Sequence, residues 1–197
     1  MGSTDQGSVV AGVVLAAGRS ERMGEPKPLL EIDGRTFLQA TVEALREGGC
    51  HPVVAVVASP DAAFAARSAG AVIAQGRPEG EQIDSLRSGL DAAPDAAAAA
   101  VVLPVDHPRV RPGTVGTLIA AWRAEPDAVV RPVHDGRPGH PTVFPRRVWP
   151  ALRDPGLEGG ARSVVERERV VDVPVDDPGV LVDIDTPGDL ERELDAR

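Results

Sequence analysis

The chain has 197 residues, 42% of them hydrophobic but only 3% aromatic, with no Tyr and a formal net charge of −9. That balance excludes a general nucleic-acid binder, which needs a basic face and aromatic platforms for bases. One cysteine, Cys50, excludes an internal disulfide framework and fits a reducing compartment. The start, "MGSTDQGS", is polar and has no basic stretch leading into an apolar one. We read 1–8 as a disordered lead-in, not a signal peptide, and 9–197 as a single domain. No apolar run approaches a membrane span, so a cytoplasmic protein without a membrane partner is expected.

Apolar runs then alternate with helical patterns. "SVVAGVVLAA" (8–17) predicts a buried strand. "TFLQATVEALREGG" (36–49) places Phe37, Leu38, Val42 and Leu45 at helical spacing, and Gly48 and Gly49 stop it. Strands follow at 51–59, 71–75, 96–106 and 127–133. Helices lie between them at 61–70, 81–93 and 114–125. The tail is less regular. Residues 134–152 read as Pro/Gly-rich loops with a short strand, 159–168 as a short helix, 169–185 as two short strands, and 187–197 as a helix with an early Pro. The alternation predicts a three-layer α/β/α fold around a mostly parallel sheet, with a core of branched aliphatics and Ala.

In such a sheet ligands sit at the carboxyl ends of the strands. Those ends carry "LAAGRSERMG", "AQGRPEGEQ", "LPVDHP" and "RPVHDGRPGH". In the first loop Ala16, Ala17 and Gly18 leave the backbone bare, so N–H groups can approach a ligand. Arg22 and Lys27 could then neutralise phosphate oxygens. The spacing is neither the P-loop nor the G-x-G-x-x-G fingerprint, and a solvated turn is the competing account. Asp106 ends the 96–106 strand, where a carboxylate could hold Mg²⁺ or cap a turn. Asp183 and Asp185 alternate on one face of an expected strand, so either could be a second ligand. Asp185 could equally cap the last helix. Ser85 within a helix is ordinarily solvated or bonded to its own backbone. His140 as a loop histidine is ordinarily structural. Trp122 and Trp149 read as packing residues, and Cys50 as a small buried hydrophobe.

"LAAGRSERMGEPKPLLEIDG" resembles the L-A-A-G-x-x-x-R-M-G-x-x-K-x-L-L signature of sugar-phosphate and molybdopterin nucleotidyltransferases, and within them the molybdenum cofactor cytidylyltransferase branch. "GEQIDSLRSGL", "LPVDHP", "PGHPTVF", "GGAR" and "DIDTPGDL" resemble further segments of that family, in the family's order. The resemblance implies a Rossmann-like nucleotidyltransferase fold. It also implies transfer of CMP from CTP to molybdopterin, with pyrophosphate released. Arg22 and Lys27 would act on the triphosphate. Leu15, Ala16, Ala17, Gly18, Arg19, Gln75, Gly80 and Ser85 would hold the nucleotide, and Asp106 with Asp185 would hold Mg²⁺. His140 would meet the acceptor, and a molybdenum enzyme is a further implied partner. Some residues depart from the family pattern: His107 where Gln is usual, Leu157 and Glu158 in place of Gly-Asp, Gln75 in place of Asn, and Asp84 between Gln82 and Ser85. The guanylyl branch usually reads L-A-G-G, so Ala17 and the Pro26-Lys27 pair favour the cytidylyl branch. Three alternatives stay open. They are GTP or another acceptor, a non-catalytic cofactor-binding chaperone, and a dinucleotide-dependent oxidoreductase, which would lack its glycine fingerprint here.

Overall fold

The computed structural model describes residues 7–20 and 22–195. The lead-in expected over 1–8 falls mainly on residues 1–6, which lie outside the described residues. In chain order the elements are β1 (Val9–Ala16), the small hairpin β2 (Glu31–Ile32) and β3 (Arg35–Thr36), α1 (Phe37–Glu47), β4 (Val53–Val57), α2 (Pro60–Ser68), β5 (Val72–Gln75) and α3 (Gln82–Ala92). After them come β6 (Ala97–Pro104), α4 (Pro112–Ala124), β7 (Val129–His134), β8 (Arg137–Pro138), β9 (Thr142–Pro145), α5 (Trp149–Arg153), α6 (Gly160–Arg167), β10 (Val170–Pro174) and α7 (Pro187–Asp195).

Local chemistry sets several boundaries. Thr36 and Gln39 form a reciprocal capping box at the start of α1, satisfying two otherwise orphaned N–H groups. Gly49, at φ 105°, carries the chain away from its end. The Ser59 hydroxyl accepts from Ala62 N to open α2.

The main sheet runs β10-β7-β9-β6-β1-β4-β5, with β8 attached to β7. β1 pairs in parallel with both β4 and β6, and β4–β5 and β7–β10 are also parallel. β9 is antiparallel to β6 and β7 and lies between them. Alternate residues of the central strands divide between two cores. Val10, Val14, Val53, Ala55, Val101 and Leu103 face α1, α2 and α4. Val13, Val54, Val56, Ala100 and Val102 face α3, α5 and α6. This is the expected α/β/α layering, a period-two pattern buried on both faces. Trp149 is fully buried, its indole N–H donating to the Phe144 carbonyl, and Trp122 donates to Pro126. Cys50 is buried, and burial pushes its thiol up to about 12. Among the described residues no helix is long and apolar enough to cross a membrane.

The tail differs from expectation. Only one strand, β10, forms within 169–185; the second is replaced by a 3-10 turn at Pro178–Leu181. Asp177 explains the turn. It is 2% exposed and accepts from Gly179 N, Arg111 N and the Thr114 hydroxyl. Those bonds fasten the segment to the start of α4 instead of to a sheet edge. Residues 182–185 are therefore unladdered backbone, and Asp183 and Asp185 do not share a strand face. The short helix α5 was not expected either, since it lies inside a Pro-rich stretch.

Candidate active site

β1 lies between β6 and β4, and the chain leaves it toward β4 and β5 before returning to β6 on its other side. The sheet's connections diverge at the carboxyl end of β1, where open α/β sheets form their ligand crevice. A cavity of about 480 Å³ opens there. Leu15, Ala16, Ala17, Gly18, Arg19, Arg22, Lys27, Gly80, Ser85, Asp106 and Asp185 all line it. Eleven residues singled out from scattered parts of the sequence thus share one cavity.

The loop after β1 is held from within. Met23 is buried at 7% exposure, and its N–H donates to the Ser20 carbonyl. The Ser20 hydroxyl accepts from Lys27 N at 2.9 Å. Ser20 sits at φ 55°, in the left-handed region that non-glycine residues seldom adopt. It lines the cavity too. The sequence reading did not select Ser20; a small polar residue midway between Gly18 and Lys27 was the available signal. Gly76 lets the next loop approach, because a Cβ there would lie 2.3 Å from Ala17 Cβ.

Asp106 lies in the turn two residues beyond β6, not within the strand. Its carbonyl accepts from Ile184 N at 3.0 Å. That bond, together with the fully buried Ile184 side chain, holds the 182–185 segment at the carboxyl edge and sets Asp183 and Asp185 on either side of the contact. Carboxylate oxygens of Asp106, Asp183 and Asp185 lie within 4.8 Å of one another. The Lys27 ammonium lies between two of them, 3.3 Å from Asp106 Oδ2 and in direct contact with Asp185 Oδ1. Arg22 reaches the other Asp185 oxygen at 2.5 Å.

Partial removal from water pushes the Asp185 carboxyl up, but the Lys27 hydrogen bond and the Lys27 and Arg22 charges outweigh it and hold it below the usual carboxylate range. Asp183 goes the other way. Burial, then repulsion from Asp106 and Asp185, raises it. The helix-cap alternative for Asp185 is not what the structure shows, since the Asp189 N–H donates to Thr186 Oγ1. Asp189 in turn accepts from the backbone N–H groups of Asp185 and Thr186.

Ser85 is 7% exposed and faces the cavity, so it is not a solvated helix hydroxyl. Arg19 also contacts Glu79 at 3.4 Å across the mouth. Gln75 departs from expectation. It ends the edge strand β5, its amide donates to the Gly76 carbonyl, and it lies outside the cavity lining. β5 is separated from β1 by β4, so the end of this edge strand lies off the crevice at β1.

His140 lines a second cavity, of about 1000 Å³, on the far side of Leu15 and Pro104. Its ring lies 4.7 Å from that of His107, and His107 Nε2 is 3.9 Å from Asp106 Oδ1. The two rings thus connect the lining of the second cavity to Asp106. Each carries a buried Nδ1 without a hydrogen-bond partner among the described residues. Burial lowers both, and His140, with His107 adding to the effect, falls to about 4. The His140 ring is therefore neutral at pH 7.

The site thus combines a small-residue loop, three cations and three carboxylates at one sheet edge, next to a larger apolar-floored cavity. Such an arrangement can hold a polyphosphate by backbone and cation, a hard divalent cation by carboxylate oxygens, and a second reactant alongside.

Residues 12–173 match the family described as the MobA-like NTP transferase domain. A probable molybdenum cofactor guanylyltransferase of Opitutus terrae is 32% identical, the match covering 94% of this chain and 95% of that one. Nicotine blue oxidoreductase of Paenarthrobacter nicotinovorans is also 32% identical, over 98% of this chain and 100% of its own. A manganese complex of Rv0371c from Mycobacterium tuberculosis H37Rv superposes with a TM-score of 0.76 at 28% identity, covering 96% of this chain and 100% of the other. The Opitutus relative is named for guanylyl transfer, so it does not support the cytidylyl donor expected from the first loop.

Proposed function

This chain belongs to the MobA-like NTP transferase family of nucleotidyltransferases, and from that premise we propose that it transfers GMP from GTP to molybdopterin with release of pyrophosphate, using Mg²⁺. The observation that carries the reading is the convergence of Arg22, Lys27, Asp106 and Asp185 around the cavity floored by 15–18. The guanylyl group and a molybdenum cofactor acceptor follow the name of the Opitutus relative. The "LAAG" form of the first loop keeps CTP as the competing donor.

In this reading the triphosphate lies along the bare backbone after β1, and Arg22 and Lys27 neutralise its oxygens. An acceptor phosphate is already ionised at pH 7, so no general base is needed; positioning and charge neutralisation supply the catalysis. The three carboxylates offer only hard oxygen donors at short mutual distance, and Asp183 is raised by burial and then by its neighbours' charge. That donor set fits Mg²⁺ or Mn²⁺. When bound, such an ion neutralises phosphate charge and polarises the phosphorus under attack. Asp106 and Asp185 would hold it, with Asp183 beside them.

The test is pyrophosphate release from GTP and, separately, CTP, with molybdopterin and Mg²⁺. GTP should be the better donor, and Asp106→Asn should remove metal-dependent turnover while leaving a folded protein. Faster release from CTP would return the donor to cytidylyl. Release that ignores molybdopterin, or a fully active Asp106→Asn variant, would overturn the reading.

A further inference from the structure

The two cavities meet at three residues, Leu15, Pro104 and Gln82. Leu15 and Pro104 are the closing residues of β1 and β6, held together by the parallel ladder and by the Val105 N–H donating to the Leu15 carbonyl. Of these three, Gln82 alone has a polar side chain. Resting on the transfer reading above, we propose that Gln82 aligns the acceptor phosphate with the α-phosphorus of the donor nucleotide.

Gln82 is the first residue of α3 and is exposed. On an ordinary helix that would mean a solvated side chain. Here the surrounding turn is fixed while the carboxamide stays uncommitted. Ile83 and Ser85 are each 7% exposed and Leu86 2%, docking the helix on the sheet. The Asp84 carboxylate accepts from the Glu81 backbone N–H at 3.1 Å, and the Asp84 N–H donates to the Glu81 carbonyl. Arg87 ties the same turn to the carbonyls of Leu152 and Asp154 at 3.2 and 2.6 Å. Gln82 makes no side-chain hydrogen bond among the described residues. Its amide can therefore turn to either cavity without breaking a contact.

The chemistry suits a neutral amide. In the transfer an acceptor phosphate oxygen forms a bond to the α-phosphorus, and the bond from that phosphorus to the bridging oxygen of the pyrophosphate breaks. The pyrophosphate leaves with the electron pair, and no proton is moved by Gln82. Two anions must be brought together at the seam. An Arg or Lys there would bind the acceptor strongly in the ground state as well as in the transition state. An amide N–H donor orients a phosphate oxygen with little ground-state charge attraction, so more of its effect falls on kcat.

The experiment compares wild type with Gln82→Ala and Gln82→Glu. Pyrophosphate release is followed with Mg²⁺, GTP and molybdopterin, each substrate varied in turn, and GTP affinity is measured by calorimetry. Gln82→Ala should keep the wild-type thermal midpoint and GTP affinity within about twofold, and lose about 10- to 100-fold in kcat. Gln82→Glu should lose more, because it adds a negative charge between two anions. Unchanged kcat and acceptor KM in Gln82→Ala, or Gln82→Glu as active as Gln82→Ala, would overturn the role given to Gln82 while leaving the transfer reading intact. No pyrophosphate from wild type with either GTP or CTP would overturn the transfer reading and the role of Gln82 with it.

Discussion

Two glycines in helix interiors should answer the same substitution with opposite signs. Gly89 lies on the inner face of α3, against β1 and β4. A methyl group added there would sit 2.4 Å from Val13 Cγ1 and 3.1 Å from Val56 Cγ2. Both valines are 0% exposed. Carbon atoms prefer about 3.5–4.0 Å, so Val13 would have to retreat by about 1 Å into a closed core. Such overpacking costs about 1–3 kcal/mol, and the helical gain of Ala over Gly offsets only about 1 kcal/mol. Gly89→Ala should therefore destabilise by up to about 2 kcal/mol, or up to about 8 °C in Tm for a domain of this size. At Gly116 in α4 the added methyl would meet nothing nearer than the Gly48 carbonyl at 3.6 Å, an ordinary contact. Gly116→Ala should stabilise by about 0.4–1 kcal/mol through the unfolded chain. Urea unfolding read by circular dichroism gives both values, with the slope m expected to stay constant. A Gly89→Ala protein as stable as Gly116→Ala would show that α3 is not packed on Val13 as described.

Lys27→Met should lose about 1–3 kcal/mol of stability in the presence of a chelator, because Asp106 and Asp185 then face one another with their partner ammonium gone; Mg²⁺ should restore the variant more than it stabilises wild type, and denaturation midpoints indifferent to Mg²⁺ would speak against a cation site there. The fall of the His140 pKa to about 4 in the folded state, from 6.5 unfolded, makes the unfolded chain bind more protons between those values. Stability should thus be fully present above pH 6.5 and drop toward pH 4 by up to about 3 kcal/mol at ~1.4 kcal/mol per pH unit, and urea midpoints of His140→Gln should change less over that range than those of wild type. Cys50, with its thiol pushed up to about 12, should resist thiol reagents at pH 8 until the protein is unfolded. Rapid labelling of the native protein would contradict its burial.

Local pattern was enough to determine the layered architecture. Runs such as "VVAGVVLA" and "VVAVV" bury both faces of a strand, and the 3.6-residue periodicity of α1 and α3 leaves one apolar stripe each. Those signals lie within a dozen residues, so no partner need be known to read them. The small-residue loop with Arg22 and Lys27, and the carboxylates Asp106 and Asp185, were legible as a set for the same reason: each is a short motif beside a strand end or before a helix. Contacts between distant segments were not legible. Asp177 draws 176–181 onto α4 and removes an expected strand. The bond from Ile184 to the Asp106 carbonyl and the burial of the Ile184 side chain then hold both later aspartates at the site. Read from sequence, Lys27 is one cation of a small-residue loop; only folding sets its ammonium between two carboxylates 79 and 158 residues away. Sheet order decided the rest. Gln75, next to a glycine loop, falls on the edge strand and misses the crevice, whereas Gln82, unremarkable in a helical run, opens a helix between two cavities. Side-chain direction relative to a remote strand end depends on strand order and helix docking. Neither leaves a mark in the local periodicity of the chain.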